Sequence, residues 1–126
     1  MLADNAPIPV LAASDLKRAR KFYEDTLGLT VHRETAEGIM FLSGNGMLVV
    51  YPTEFAGTAK NTACMWPVAD IRSEVDELRR AGVTFEHYDL AGTTWDGDIA
   101  IDQEGQRGAW FRDTEGNILA MTELPS

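Results

Sequence analysis

Apolar residues recur at two different spacings along the chain, and the alternation between the two spacings occurs twice. Apolar positions three and four residues apart follow Asp15, and again follow Asp70, which is typical of amphipathic helices that begin at a capping residue. Short runs of apolar residues follow each predicted helix and are bounded by Gly, Asn and Asp, as hairpin strands are. The pattern therefore predicts a strand, a helix and three strands, twice over.

The repeat is also visible in the residues themselves. Residues 10–15 and a helix-like run ending in Leu27-Gly28-Leu29 align with residues 65–70 and a run ending in Ala81-Gly82-Val83. Two copies of one supersecondary unit are expected to pair, because neither copy can cover its own sheet. We predict an α+β fold of two paired βαβββ modules that form a curved mixed sheet around a cleft. The single domain 1–126 would comprise module one at about 6–52, a linker at about 52–61 and module two at about 62–124.

Charge and composition narrow the classes of partner and the compartment. The 126 residues include 20 acidic and 11 basic side chains, a formal charge of −9, which disfavours nucleic acid and anionic membranes as partners. The single cysteine, Cys64, cannot form a disulfide within the chain. No basic region precedes a long apolar run, and no run approaches the roughly 20 apolar residues that span a bilayer. We expect a cytoplasmic protein.

Several common catalytic motifs do not occur. The sequence contains no nucleophile elbow, no phosphate-binding glycine loop, no CxxC pair and no HExxH pattern. The short run Gly44-Asn45-Gly46 reads as a hairpin turn. Serine-hydrolase and nucleotide chemistry are therefore not expected.

Two segments resemble a known superfamily. Residues 9–29 read PVLAASDLKRARKFYEDTLGL, and residues 107–123 read RGAWFRDTEGNILAMTE. They resemble the first strand and helix, and the closing turn and last strand, of the vicinal oxygen chelate superfamily. That superfamily includes glyoxalase I, extradiol dioxygenases, fosfomycin-resistance enzymes and bleomycin-resistance proteins. The resemblance implies the paired-module fold but not one reaction, because this scaffold hosts isomerases, transferases, dioxygenases and pure binding proteins.

The same resemblance implies where a metal ion would be held. In metal-using members, His or Glu side chains on the first and last strand of each module converge on one divalent ion. The resemblance places Ile8, Ala63, Ala120 and Leu48, or a neighbour of Leu48, at those positions. Hydrocarbon side chains cannot coordinate a divalent ion. We therefore expect no metal, no other cofactor and no catalytic residue.

A displaced metal site remains the alternative. The histidines His32 and His87 fall on corresponding predicted strands of the two modules, and Glu123 follows Ala120 on the last strand. A metal-dependent lyase or dioxygenase of the same superfamily would use His32, His87 or Glu123 as relocated ligands. Each of them could equally be an ordinary surface or hydrogen-bonding side chain.

Strand alternation then predicts which residues face the cleft. Trp110 and Arg112 share one face of their strand, and we place that face toward the cleft because Phe111 would then meet the helix. An apolar, aromatic lining could hold a flat small molecule by burial alone, although each aromatic residue could also be ordinary core. The predicted ligand-binding residues are Val10, Phe41, Leu48, Val50, Met65, Trp95, Trp110, Arg112 and Ala120.

An acidic, glycine-rich stretch at 92–108 lies near this predicted cleft. It carries Asp96, Asp98, Asp102 and Glu104 around Trp95. As a flap over the cleft it would favour a cationic aromatic guest, and as a hydrated loop it would have no such role. Drug-binding members that resemble residues 9–16 are small, acidic homodimers. The sequence therefore predicts a homodimeric, metal-independent protein that sequesters a small molecule, cationic or aromatic.

Overall fold

The computed structural model describes residues 1–125 and shows two compact units. The first comprises Met1–Ala59 together with Thr114–Asn117. The second comprises Lys60–Asp113 together with the segment that begins at Ile118. No helix among residues 1–125 is both long enough and apolar enough to cross a bilayer.

The first unit is a four-stranded mixed sheet covered by one helix. A short 3₁₀ turn, Leu2–Asp4, precedes the sheet. The elements are β1 (Val10–Ala13), α1 (Leu16–Lys21) continued by a π-helical turn (Phe22–Thr26), β2 (Thr30–Thr35), β3 (Gly38–Ser43) and β4 (Gly46–Pro52). The strands run in the order β1-β4-β3-β2, with β1 parallel to β4 and the other neighbours antiparallel.

The second unit repeats this plan and adds a hairpin. The elements are β5 (Thr62–Pro67), α2 (Ile71–Arg80), β6 (Phe85–Glu86), β7 (Thr94–Asp96), β8 (Ile99–Ile101), β9 (Arg107–Arg112) and β10 (Ile118–Glu123). The strands run in the order β5-β10-β9-β8-β7, with β5 parallel to β10, and the short strand β6 also pairs with β9. The predicted α+β class with two βαβββ modules is confirmed.

Both helices begin where the sequence predicts a cap. The Asp15 carboxylate accepts a hydrogen bond from the backbone N–H of Arg18 at 3.0 Å, and Asp70 accepts one from Ser73 at 3.2 Å. Each bond satisfies one of the backbone donors that a helix leaves free at its N-terminus. The two caps therefore place α1 and α2 at the same point of the repeated plan.

Each helix covers one face of its own sheet. In the first unit Tyr23 is fully buried and its ring lies 5.6 Å from that of Phe41. In the second unit the rings of Phe85 and Phe111 lie 5.7 Å apart, while Val75 of α2 is buried. The opposite faces retain accessible apolar side chains. Among them, Val10 of the first unit is 58% exposed and Met65 of the second is 55% exposed.

Part of the acidic stretch at 92–108 forms regular strands. It contains the hairpin β7–β8, in which Trp95 lies opposite Ala100. The two-residue connection begins with Gly97, whose φ of +61° is a conformation that glycine adopts readily. Ile99 and Ala100 are buried, which is why this segment joins the sheet. The Gly-Asp pair at 97–98 is a known sequence signal for such a turn.

Candidate functional site

The open face of the second sheet is set by the register of the edge strand β5 with β10 and of β10 with β9. Trp110 of β9 lies opposite Ala120 of β10, and Ala120 lies beside Met65 of β5. The neighbouring residue Phe111 is buried on the helix side against Phe85. Because strand residues alternate between faces, Trp110, Ala120 and Met65 share the face away from α2. Phe111 lies on the opposite face of β9 from Trp110 and packs on Phe85.

A concave site of about 300 Å³ lies on this face, which we call the second-sheet pocket. Ala120, only 3% exposed, lies in its lining, and the much more accessible Met65 lies beside it. Polar side chains also reach the lining, from β5, from the segment before β7, from the loop between β8 and β9, from β9 and from β10. The pocket is lined by Thr62, Met65, Leu90, Thr93, Ala100, Asp102, Gln106, Arg107, Gly108, Trp110, Ala120, Met121 and Thr122.

An aromatic cluster continues from Trp110 beyond the pocket lining. The Trp95 ring lies 6.3 Å from that of Trp110, and His87 stacks on Trp95 at 4.3 Å with the planes only 5° apart. The ring of Tyr88 meets that of Trp110 edge-on at 5.7 Å. Such packing holds the indole of Trp110 in one orientation, so that the pocket has a pre-formed aromatic wall.

Two of the four acidic residues expected to attract a cationic guest are paired with arginine. Asp96 forms an ion pair with Arg72, and Asp98 accepts hydrogen bonds from Arg79 and contacts His87 at 2.7 Å. Burial raises the pKa of Asp98, but the bonds from His87 and Arg79 outweigh it and lower that pKa. The arginine partners offset the negative charge that Asp96 and Asp98 were predicted to offer a cationic guest. Sequence periodicity could not indicate that α2 supplies their arginine partners.

Arg112 lies on the Trp110 face of β9 but pairs with a carboxylate beside it. Its Nε donates to both oxygens of Glu86 at 2.9 and 3.0 Å. Tyr88 donates its hydroxyl to the same carboxylate at 2.8 Å. Burial and this hydrogen bond both raise the pKa of Tyr88. Arg112 thus takes part in an ion pair next to the aromatic cluster and is not in the lining of the second-sheet pocket.

Four predicted ligand-binding residues lie in the first unit, and three of them are core. Phe41, Leu48 and Val50 are at most 2% exposed and pack on the α1 side of the sheet, so their assignment to an accessible face is wrong. Val10 is accessible and lies beside Val49 in the parallel register. The open face of β4 therefore carries Val49, one residue out of the predicted phase. The unbroken apolar run Met47–Val50 conceals the alternation that would have shown the phase.

The side chains at the superfamily's ligand positions do not fit a divalent ion. Ile8, Ala63, Leu48 and Ala120 offer only hydrocarbon groups. Glu123 accepts a hydrogen bond from the backbone N–H of Ile71 at 2.9 Å, which caps α2. Within residues 1–125, His, Cys, Asp and Glu side chains form no group of three that could hold a metal.

Cys64 has the environment of a structural thiol. It lies beside Leu119 in the register of β5 and β10, on the strand face opposite to that of Met65. Burial raises the pKa of its thiol, and a backbone hydrogen bond from Met65 offsets only part of that rise. A raised thiol pKa disfavours the thiolate, which is the nucleophilic form. Cys64 is therefore not a candidate nucleophile.

Solved structures with the same fold include both binding proteins and an enzyme. The bleomycin resistance determinant encoded on transposon Tn5 has a TM-score of 0.76 and 18% identity over 97% of this chain and 99% of that one. The bleomycin-binding protein from Streptomyces verticillus, complexed with copper(II)-bleomycin, has a TM-score of 0.69 and 24% identity over 97% of this chain and 96% of that one. Lactoylglutathione lyase from Agrobacterium tumefaciens has a TM-score of 0.69 and 20% identity over 94% of this chain and 92% of that one.

Comparisons of sequence give the family. No curated protein sequence matches the chain significantly. A family model described as "Glyoxalase/Bleomycin resistance protein/Dioxygenase superfamily" matches residues 7–121, which is nearly the whole chain. The resemblance found in residues 9–29 and 107–123 lies mainly within that match. The chain belongs to the glyoxalase/bleomycin resistance protein/dioxygenase superfamily.

Proposed function

We propose that this protein binds a small, flat, mainly apolar molecule in the second-sheet pocket without the help of a metal ion. The observation that carries the proposal is the pocket itself: about 300 Å³, with Met65, Trp110 and Ala120 on one accessible sheet face. A mostly apolar concavity with a few polar groups is the usual form of a small-molecule site. Its size is at the small end of such sites and suits a bicyclic ring.

Burial alone supplies useful affinity in such a pocket. Apolar surface removed from water contributes about 25 cal/mol per Å², so about 150 Å² of ring and lining contact contributes about 4 kcal/mol before the costs of binding. The indole of Trp110, packed against Tyr88 and Trp95, adds a rigid surface on which a ring can stack. The aromatic character of the ligand is thus better supported than its positive charge, since Asp96 and Asp98 are paired with arginine.

Relatives with this fold motivate the same class of function. Two solved structures of similar fold are described as a bleomycin resistance determinant and as a bleomycin-binding protein with copper(II)-bleomycin. Sequestration by such a protein needs no catalytic group, which agrees with hydrocarbon side chains at Ile8, Ala63 and Ala120. A cytoplasmic homodimer is part of this proposal, and light scattering of the purified protein tests the assembly state.

A metal-dependent lyase or dioxygenase is the second candidate. Its support is the similarity of fold to the lactoylglutathione lyase from Agrobacterium tumefaciens. The predicted relocated ligands fit it poorly, because Glu123 caps α2 and His87 stacks on Trp95 and contacts Asp98. Binding without metal therefore has the stronger physical support.

Ligand titrations of the unaltered protein decide between the two. Tryptophan fluorescence and the midpoint of thermal unfolding are followed during addition of 2-methylquinoline, bleomycin, copper(II)-bleomycin and the salts of zinc, nickel, manganese and iron(II). We expect saturable quenching and a raised midpoint with at least one organic ligand in the presence of chelator, because binding to the native state stabilises it. Stoichiometric metal binding together with chelator-sensitive ligand binding would reject the proposal in favour of the metalloenzyme.

A further inference from the structure

The second-sheet pocket has one polar end, formed where the loop after β8 meets β10. Gln106 and Asp102 line it there, together with Thr122. One oxygen of Asp102 accepts the backbone N–H groups of Glu104 and Gln106, both at 2.9 Å. These bonds fix the carboxylate in the loop. No further hydrogen bond to the carboxylate of Asp102 is found among residues 1–125, so its second oxygen retains its acceptor capacity.

The orientation of the Gln106 amide follows from its neighbour. Thr122, which is 6% exposed, donates its only hydroxyl proton to the carbonyl of Arg107 at 3.2 Å. The Thr122 oxygen can then only accept, and the group that faces it at 3.0 Å must be the Gln106 NH₂. This bond fixes which end of the amide is the donor. The carbonyl oxygen Oε1 of Gln106 has no hydrogen-bond partner among residues 1–125.

The polar end thus presents acceptors next to an apolar surface. Gln106 Oε1 and the second oxygen of Asp102 can each receive an N–H or O–H from a ligand. Gln106 is half-buried, and a partly buried acceptor that a ligand leaves unsatisfied costs free energy, so it discriminates between ligands that are otherwise alike. Asp102 is more exposed and adds a charged acceptor to the same lining. The basic residue in the pocket lining is Arg107, which forms a long ion pair of 3.8 Å with Glu123.

We propose that the second-sheet pocket selects flat heteroaromatic molecules that carry an N–H donor at one edge, with Gln106 and Asp102 as the residues that recognise this donor. The ring would lie against Trp110, Ala120 and Met65, while the amino or amide edge would point to the two acceptors. This inference rests on the proposed function, and it adds a chemical class of ligand to it.

A matched pair of probes tests this selection on the unaltered protein. 2-Aminoquinoline and 2-methylquinoline have nearly the same shape and differ in an NH₂ or a CH₃ at one ring edge. Both are titrated at an alkaline pH at which both rings are uncharged, so that charge does not contribute. We expect 2-aminoquinoline to bind about tenfold more tightly, as one or two extra hydrogen bonds provide.

Variants then locate the discrimination. Gln106→Met keeps the length of the side chain and removes its amide, and Asp102→Asn keeps an oxygen that can hold the loop but removes the charge. Each is expected to reduce the preference for 2-aminoquinoline about threefold or more, with less effect on 2-methylquinoline. Gln103→Met is the matched control, because Gln103 does not line the pocket. That variant should keep the full preference.

The possible outcomes separate this inference from the proposed function. Equal binding of the two quinolines by the unaltered protein would overturn the inference and leave the proposed function intact. A preference that persists in both Gln106→Met and Asp102→Asn would overturn the assignment to these residues. Failure of both quinolines to bind would instead count against flat-ring binding in the pocket, and thus against both proposals.

Discussion

The carboxylate of Glu115 lies 2.7 Å from the Nε of Arg18, and its side chain is completely buried while that of Arg18 is half exposed. The same carboxylate accepts hydrogen bonds from the backbone N–H groups of Ser14 and Asp15, at 3.0 and 2.9 Å. Thr114 donates its hydroxyl to the other oxygen. Glu115, in the turn between β9 and β10, therefore ties that turn to the N-terminal end of α1 in the first unit. We call this turn the closing turn.

These contacts make the free energy of unfolding depend on pH. Burial raises the pKa of Glu115, but the bond from Arg18 and those from Asp15 and Thr114 outweigh it and lower the pKa to about 2. A carboxyl whose pKa falls on folding stabilises the native state above its ordinary pKa of 4.5, and this contribution is lost as the pH falls toward about 2. Glu115→Gln should therefore lower the free energy of unfolding at neutral pH by about 2–3 kcal/mol.

Urea unfolding at several pH values checks this prediction. The difference between unaltered protein and Glu115→Gln should be constant above about pH 4.5 and shrink at lower pH. Glu24→Gln is the matched control, because Glu24 forms an exposed pair with Arg20 at 3.6 Å and should cost no more than about 0.5 kcal/mol. A pH-independent difference would contradict the assigned role of the Glu115 charge.

The closing turn also depends on the close approach of two glycine backbones. A Cβ at Gly116 would lie 2.8 Å from the Cα of Gly57, and the φ of Gly116 is +88°. Gly116→Ala should therefore cost the strain of a left-handed conformation, about 1 kcal/mol, and a steric clash of at least similar size. Thermal unfolding measures the sum.

Gly28→Ala separates the two contributions. Gly28 has a similar φ of +77°, but a Cβ there would have no atom within 4 Å among the described neighbours. It should cost only the conformational strain of about 1 kcal/mol. Equal destabilisation by the two substitutions would show that the Gly57–Gly116 approach can relax.

The stability of the hairpin β7–β8 is expected to depend more on Asp98 than on Asp96. Asp98 contacts both Arg79 and His87, and His87 stacks on Trp95 of the same hairpin, whereas Asp96 pairs with Arg72 alone. Asp98→Asn should speed backbone hydrogen exchange in the hairpin and shift the Trp95 fluorescence. The loss of stability should be at most about 1 kcal/mol, because the partners Arg79 and His87 are both about half exposed to solvent.

Asp96→Asn is the control for this prediction and should leave both signals nearly unchanged. Because the pKa of Asp98 is lowered, its stabilising contribution is present at neutral pH and declines as the pH falls through that lowered pKa. Equal exchange rates in the two variants would mean that strand pairing alone holds the hairpin.

The parts of this fold that sequence could predict are those encoded by local chemistry. Asp15 and Asp70 cap helices as expected, and the Ser43–Gly46 turn closes the hairpin between β3 and β4, because these signals act over three or four residues. The face of β4 was not predictable in the same way. In the run Met47–Val50 all residues are apolar, so only the register with β1 shows which of them are buried.

The candidate site was predictable only where strand alternation was unbroken. Trp110, Met65 and Ala120 share a face, as alternation predicts, although the parallel register that aligns Met65 with Ala120 follows a bulge. The pairing of Gln106 with Thr122 joins residues in a loop and a strand, and no periodic pattern indicates it. Such contacts depend on tertiary structure and leave no signal in one sequence.

Met65 offers the sharpest test of the pocket because it can be changed without disturbing the core. Met65 is 55% exposed and lies beside Ala120, so a variant with a charged side chain at this position should fold normally. A ring that loses about 50 Å² of apolar contact with Met65 should bind about tenfold more weakly in Met65→Glu and in Met65→Lys. With neutral 2-methylquinoline as the ligand, both variants should weaken binding equally, whereas a cationic ring should distinguish them.

Leu42→Lys is the matched control, since Leu42 is a similarly accessible apolar strand residue in the first unit. Loss of binding in Leu42→Lys, with none in either Met65 variant, would place the ligand elsewhere.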